Sequence, residues 1–77
     1  MTPQEAIPVL DEYLAIHPQD DEALTLRGMK KWSVNRRGEA INDYLSALKI
    51  NPESRAKTAL EYANSILDFY SKDLLNP

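Results

Sequence analysis

The chain contains no cysteine, only one histidine and no long run of apolar residues. Without cysteine it forms neither a disulfide nor a thiolate metal site, and one histidine does not supply the ligand set of a zinc site. We therefore expect no metal and no cofactor. The apolar runs are far shorter than the roughly 18 residues that a membrane helix needs, so we also expect no membrane partner.

Basic residues are scarce as well, because nine Lys and Arg stand against twelve Asp and Glu, for a net charge of −3. Nucleic-acid-binding proteins usually carry excess positive charge, so we expect no nucleic-acid partner. The first residues, MTPQEAIPVL, lack the basic and apolar segments of a secretory signal peptide. Together with the absence of cysteine, this favours a cytoplasmic location.

Helical periodicity is what the chain does contain. No segment alternates β-branched and polar residues as a strand would, so the predicted class is all-α. Thr2, Pro3 and Glu5 form a capping-box pattern that starts a first helix running to about Ile16. Pro8 interrupts this pattern, and it either bends the first turn or marks where the regular helix begins.

Three more helices follow. Asp20 is the predicted N-cap of the second helix, and Asn35 suits a left-handed cap at its end. A turn at residues 36–38 precedes a third helix over about 38–50. Asn51 and Pro52 end that helix, and a fourth is predicted over about 53–71, with the final LLNP folding back or fraying.

An internal repeat connects these elements. Residues 6–18, AIPVLDEYLAIHP, align with residues 40–52, AINDYLSALKINP, at a constant offset of 34 and without a gap. Small residues, an aromatic and a proline follow at spacings that resemble the tetratricopeptide repeat family, whose period is also 34. The positions that carry this resemblance are Gly28, Ala40, Tyr44, Ala47 and Pro52.

The resemblance implies a single domain of antiparallel helix-turn-helix repeats that stack into an α-α superhelix. Residues 1–20 would be a half repeat, residues 21–54 a complete repeat and residues 55–77 a closing helix. Three positions depart from the family pattern, namely Leu24, Arg27 and Lys31, and Trp32 follows one position after the expected aromatic. Related helical repeats and a plain four-helix bundle are the alternatives.

The resemblance also implies a binding site, because the first helix of each pair lines a concave groove in this family. Transferred to this chain, the pattern gives a groove that holds a peptide or a partner helix. Its predicted residues are Glu22, Thr25, Met29, Trp32 and Ser33. The alternative is that Met29 and Trp32 pack against the first or fourth helix, because so small a core needs its large side chains.

Five of the nine basic residues cluster between positions 27 and 37. They are a candidate patch for an acidic peptide tail or a phosphate: Arg27, Lys30, Lys31, Arg36 and Arg37. The carboxylate clamp of some family members is not present, because Thr25 and Met29 occupy two of its positions. The alternative is a solvated face balanced by Asp20, Asp21 and Glu22.

The fourth helix carries more apolar surface than one packing partner covers. A terminal repeat helix needs a polar outer face to stay soluble, so we consider a self-association surface there. Its residues are Leu60, Leu67, Phe69 and Leu74. The alternative is that the LLNP tail and the first helix cover them.

Catalysis has little support in the sequence. His17 lies in a turn before Pro18, no glycine-rich loop is present, and the carboxylates are scattered. We therefore expect no catalytic residues and no enzyme. The favoured hypothesis is a protein interaction module, the alternative is a homodimerisation unit that pairs through the fourth helix, and a third is an enzyme accessory subunit that positions a partner.

Overall fold

Four helices follow one another in the computed structural model, which describes the backbone of residues 1–75 and the side chains of residues 1–66. They are α1 (Pro3–Ile16), α2 (Asp21–Ser33), α3 (Arg37–Ile50) and α4 (Ala56–Leu75). The described residues form no strand, so the predicted all-α class is confirmed.

The start of α1 is held by the predicted capping box. The Glu5 backbone N–H donates to Thr2 Oγ1 over 3.2 Å, and the Thr2 N–H donates to Glu5 Oε1 over 3.0 Å. The helix runs without a break from Pro3 through Pro8, so of the two alternatives at Pro8, the one in which the regular helix begins there is wrong. The cap secures the first turn ahead of Pro8, and the Pro8 ring is exposed rather than buried.

Both ends of α2 form as the sequence predicts. Asp20 Oδ1 accepts a hydrogen bond from the Ala23 N–H over 3.1 Å. At the other end Asn35 is left-handed, with φ of 67°, and the Arg36 N–H reaches back to the Lys31 carbonyl over 2.8 Å. This Schellman-type ending compresses the turn into residues 34–36, so α3 begins at Arg37, one residue earlier than predicted.

The start of α4 differs from the prediction. Asn51 Oδ1 accepts from the Glu53 N–H over 3.0 Å, and Ser54 Oγ accepts from the Ala56 N–H over 3.1 Å. Because these side chains hold residues 51–55 in a turn, α4 begins at Ala56 instead of near Glu53. It continues to Leu75, past the predicted end at residue 71, and residues 76–77 of the LLNP tail lie outside the described residues.

Two polar contacts place the start of α4 beside the start of α2. Ser54 Oγ lies 3.2 Å from Thr25 Oγ1 in the interior. Asn51 Nδ2 donates to Asp21 Oδ2 over 3.3 Å. The turn before α4 is thus joined to the first two turns of α2, and the space between these helices becomes the site described below.

The crossing of α2 and α3 is very close. A Cβ atom built on Gly28 would lie 2.6 Å from Tyr44 Cε1 and 3.1 Å from the Ala40 carbonyl oxygen. Ala40 and Ala47 are fully buried, and Tyr44 is nearly so. These residues of α3 therefore make a close helix approach at Gly28.

One hydrophobic core runs through all four helices, and consecutive helices pack against each other in order along the chain. Its buried members are Leu14, Ala23, Leu24, Ala40, Tyr44, Ala47, Ala56 and Ala63. The helix bounds follow the internal repeat, because α3 begins and ends 34 residues after α1.

The Gly28 contact predicts an unusual response to alanine. In a helix interior, alanine stabilises the helix by about 1 kcal/mol relative to glycine. Gly28→Ala should nevertheless destabilise the fold by about 1–3 kcal/mol, because the added methyl group would overlap the Tyr44 ring. Gly38→Ala is the matched control, since a Cβ there meets nothing within 4 Å. We expect thermal denaturation to show a lower midpoint for the first variant and an equal or higher one for the second. Equal midpoints for both variants would contradict the close crossing.

Candidate functional site

A groove with a volume of about 620 Å³ lies between α2 and α4. Side chains from three helices and from the turn before α4 line it: Met29, Trp32, Ser33, Tyr44, Arg55, Thr58, Ala59 and Tyr62. The volume falls in the range of protein ligand sites, and the walls are mainly apolar. We call this site the α2–α4 groove.

The wall from α2 follows directly from helix geometry. Met29, Trp32 and Ser33 are spaced by three and four residues, which places them on one helix face. Tyr44 reaches the groove from α3 because Gly28, one residue before Met29, leaves room for its ring. The residues that make the helix crossing therefore also shape the groove.

An aromatic pair closes one part of the α2–α4 groove. The ring centroids of Trp32 and Tyr62 are 6.4 Å apart in an edge-to-face arrangement. The Arg37 guanidinium lies 4.8 Å from the Trp32 ring centroid, a cation–π distance. Trp32 is half-buried, whereas Tyr62 remains 61% exposed, so Tyr62 offers more of its surface to a ligand.

Arg55 is the charged residue among the described groove walls. Its Nε lies 3.2 Å from Glu22 Oε2, but both side chains are more than half exposed. An exposed ion pair of this kind contributes between 0 and about 1 kcal/mol, so Arg55 is readily available to a competing carboxylate.

Three of the five predicted groove residues come together in the structure, namely Met29, Trp32 and Ser33. Met29 and Trp32 also pack against the core, so they hold the fold and line the groove at once. Glu22 is exposed but lies outside the groove walls. The prediction that Thr25 lines the groove is wrong, because its side chain is completely buried. Its hydroxyl donates to the Asp21 carbonyl over 2.8 Å and contacts Ser54.

The opposite wall was not predicted. It consists of residues at and just before the start of α4: Arg55, Thr58, Ala59 and Tyr62. The 34-residue offset offered a signal, because it aligns this segment with α2, whose face was already assigned to the groove.

The five predicted basic residues do not form one patch, which corrects that prediction. Arg27 is held by the Asp43 carboxylate through two hydrogen bonds of 2.8 and 2.9 Å, and its third contact is Asp11 at 2.8 Å. Lys31 is buried, with its Nζ 3.2 Å from Asp43 and 3.8 Å from Glu39. These charges connect α1, α2 and α3, and they are internal structure rather than a free surface.

The remaining cations have separate environments. Arg36 Nε donates to Glu39 Oε2 over 2.8 Å, and Arg37 covers Trp32. Lys30 is half-buried and makes no ion pair among the described side chains. The acids that balance the cluster are therefore Asp11, Glu39 and Asp43, not the predicted Asp20, Asp21 and Glu22.

These contacts shift several pKa values. The hydrogen bonds that the Arg27 guanidinium donates to the Asp43 carboxylate raise the pKa of Arg27 above its ordinary value. The Arg36 hydrogen bond lowers the pKa of Glu39. Burial raises the pKa of the Tyr44 phenol, and the nearby Asp43 charge acts in the same direction. At neutral pH, Arg27 and Glu39 are therefore charged and Tyr44 is neutral.

The predicted self-association surface falls only partly on described side chains. Leu60 is half-buried and packs against the core, so it does not project freely from α4. The side chains of Leu67, Phe69 and Leu74 lie outside the described residues.

In the part of the chain that the structure describes, no group of three or more His, Asp or Glu side chains is arranged to hold a metal ion. Within the same residues, no helix has the length and apolar character to cross a membrane. His17 packs its ring on Tyr13, with centroids 4.7 Å apart.

Comparisons of the chain with protein-family models, with curated proteins and with solved structures find no match.

The ion network predicts a clear difference between two acidic residues. Asp43→Asn removes the charge shared by Arg27 and the buried Lys31, so it should destabilise the fold by about 1.5–3 kcal/mol. Asp11→Asn removes a half-exposed contact to Arg27 alone and should cost no more than about 1 kcal/mol. Urea denaturation of both variants checks this order, and equal losses would contradict the internal position of the Asp43 network.

Proposed function

We propose that this chain is a non-catalytic, tetratricopeptide-like interaction module that binds a short segment of a partner protein in the α2–α4 groove. The observation that carries the proposal is the groove itself, where an apolar floor and an aromatic pair meet one accessible cation. The 34-residue correspondence between α1 and α3 supports the comparison with that repeat family.

The chemistry of the walls suits a peptide side chain. Met29 is flexible and polarisable, so it adapts to different apolar side chains. Trp32 and Tyr62 provide large, rigid contact surfaces of the kind that dominate protein interfaces. Arg55, near the start of α4, is suited to a carboxylate or a backbone carbonyl of the bound segment.

The same walls offer little for catalysis. None of the eight described lining residues is a histidine or a carboxylate, so the groove lacks a general base at neutral pH. The Ser33 hydroxyl donates to the Met29 carbonyl over 3.0 Å, a bond within its own helix that does not activate it. Binding is therefore the better supported activity for this groove.

The test uses the only tryptophan of the chain as a reporter. Peptides selected on the full chain from a random dodecapeptide library should change the fluorescence of Trp32 on binding. Tyr62→Ala should weaken their binding at least about tenfold, because it removes an exposed groove wall while leaving the core in place. Fluorescence titration of the selected peptides measures both effects.

Leu45→Ala is the control, because Leu45 is a half-exposed apolar residue that lies on α3, outside the groove. It should leave peptide affinity unchanged. Two results would overturn the proposal: a selection that yields no binding peptide, or peptides whose affinity and Trp32 signal survive Tyr62→Ala.

A further inference from the structure

A second apolar surface lies on α1, away from the α2–α4 groove. Val9, Tyr13 and Ile16 are 52%, 42% and 75% exposed. Their spacing of four and three residues places them in one stripe along the helix, with the half-buried Leu10 beside it. We call these four residues the α1 stripe.

The internal repeat shows what covers the same positions on α3. Val9, Leu10 and Tyr13 correspond, at the offset of 34, to Asp43, Tyr44 and Ala47. These three residues are only 5%, 3% and 0% exposed. Asp43 binds Arg27 and Tyr44 meets Gly28, so α2 is the helix that lies over this face of α3. Among the described residues, no helix takes the equivalent place on α1.

The charges around the α1 stripe define the kind of helix that fits. The helix α1 contains no lysine or arginine, and Glu5 and Glu12 lie on the same helix face as the stripe, four residues before Val9 and three residues after it. On α3, the covering helix brings Lys31 toward Glu39, and Glu5 occupies the matching position on α1. An apolar stripe with acidic neighbours complements a helix that carries apolar residues flanked by Lys or Arg.

We propose that the α1 stripe binds a basic amphipathic helix of a partner protein, in the position that α2 holds on α3. This surface is independent of the α2–α4 groove, so the two proposals succeed or fail separately. Helix-in-groove binding of this type depends on apolar anchors at helical spacing on the bound helix. The residues of the α1 stripe have the same helical spacing and can therefore receive such anchors.

A second copy of the chain is a poorer fit than a basic helix. The helix α4 corresponds to α2 in the repeat, but Glu61 and Ser65 stand where α2 has Arg27 and Lys31. A copy that presented α4 to the α1 stripe would place Ser65 opposite Glu5 and Glu61 opposite Val9. It would lose the attraction that Lys31 provides on α3 and would add a negative charge beside the acidic α1. Like charges at such an interface oppose binding.

The experiment uses two synthetic peptides of about five helical turns with identical leucine patterns. In one peptide every polar position is lysine, and in the other it is glutamate. We expect fluorescence anisotropy to show that the full chain binds the lysine peptide at least about tenfold more tightly than the glutamate peptide. Val9→Lys should weaken binding of the lysine peptide at least about tenfold.

Leu45→Lys is the matched control. Leu45 lies on α3 and is 48% exposed, so this substitution adds the same positive charge outside the α1 stripe. It should reduce affinity less than threefold. Equal losses in the two lysine variants would overturn the proposal, because they would indicate attraction to net charge alone. Equal binding of the two peptides would also overturn the proposal. If light scattering shows a homodimer that Val9→Lys dissociates, the stripe binds a second copy of the chain, and the proposal is again overturned.

Discussion

The close approach of α2 and α3 at Gly28 is the constraint on which the rest of the structure depends. A residue with a side chain there would collide with Tyr44 and crowd the Ala40 carbonyl. Because Gly28 leaves this space open, the Tyr44 ring is buried at the crossing and still reaches the α2–α4 groove. Core packing and the candidate binding site therefore share one contact, and neither is expected to change alone.

The ion network gives Arg27 and Lys31, the two cations of α2 that face Asp43, a role in the packing of α2 on α3. Arg27 and Lys31 are one helical turn apart, on either side of Gly28, and Asp43 precedes Tyr44. When the helices cross at Gly28, the Asp43 carboxylate lies within reach of both cations. Buried ion pairs contribute little net stability, but breaking one is costly, so this network favours a single register of α2 on α3.

Local features of the fold could be predicted from the sequence, and features that depend on distant residues could not. The caps at Thr2, Asp20 and Asn35 follow from hydrogen bonds within a few residues. The burial of Thr25 depends on Ser54, which is far along the chain, and the fate of Arg27 depends on Asp43. For the same reason the α2 wall of the groove was predictable, whereas the α4 wall required the packing of one helix beside another.

A through-space NMR experiment on the full chain tests the close crossing of α2 and α3 most directly. The α-protons of Gly28 should show strong cross-peaks to the ring protons of Tyr44, because the position of an added Cβ is only 2.6 Å from Tyr44 Cε1. Those α-protons should also be shifted by the ring current of Tyr44. A spectrum that lacks these cross-peaks, with the Gly28 α-protons at ordinary helical shifts, would contradict the close crossing and the groove that depends on it.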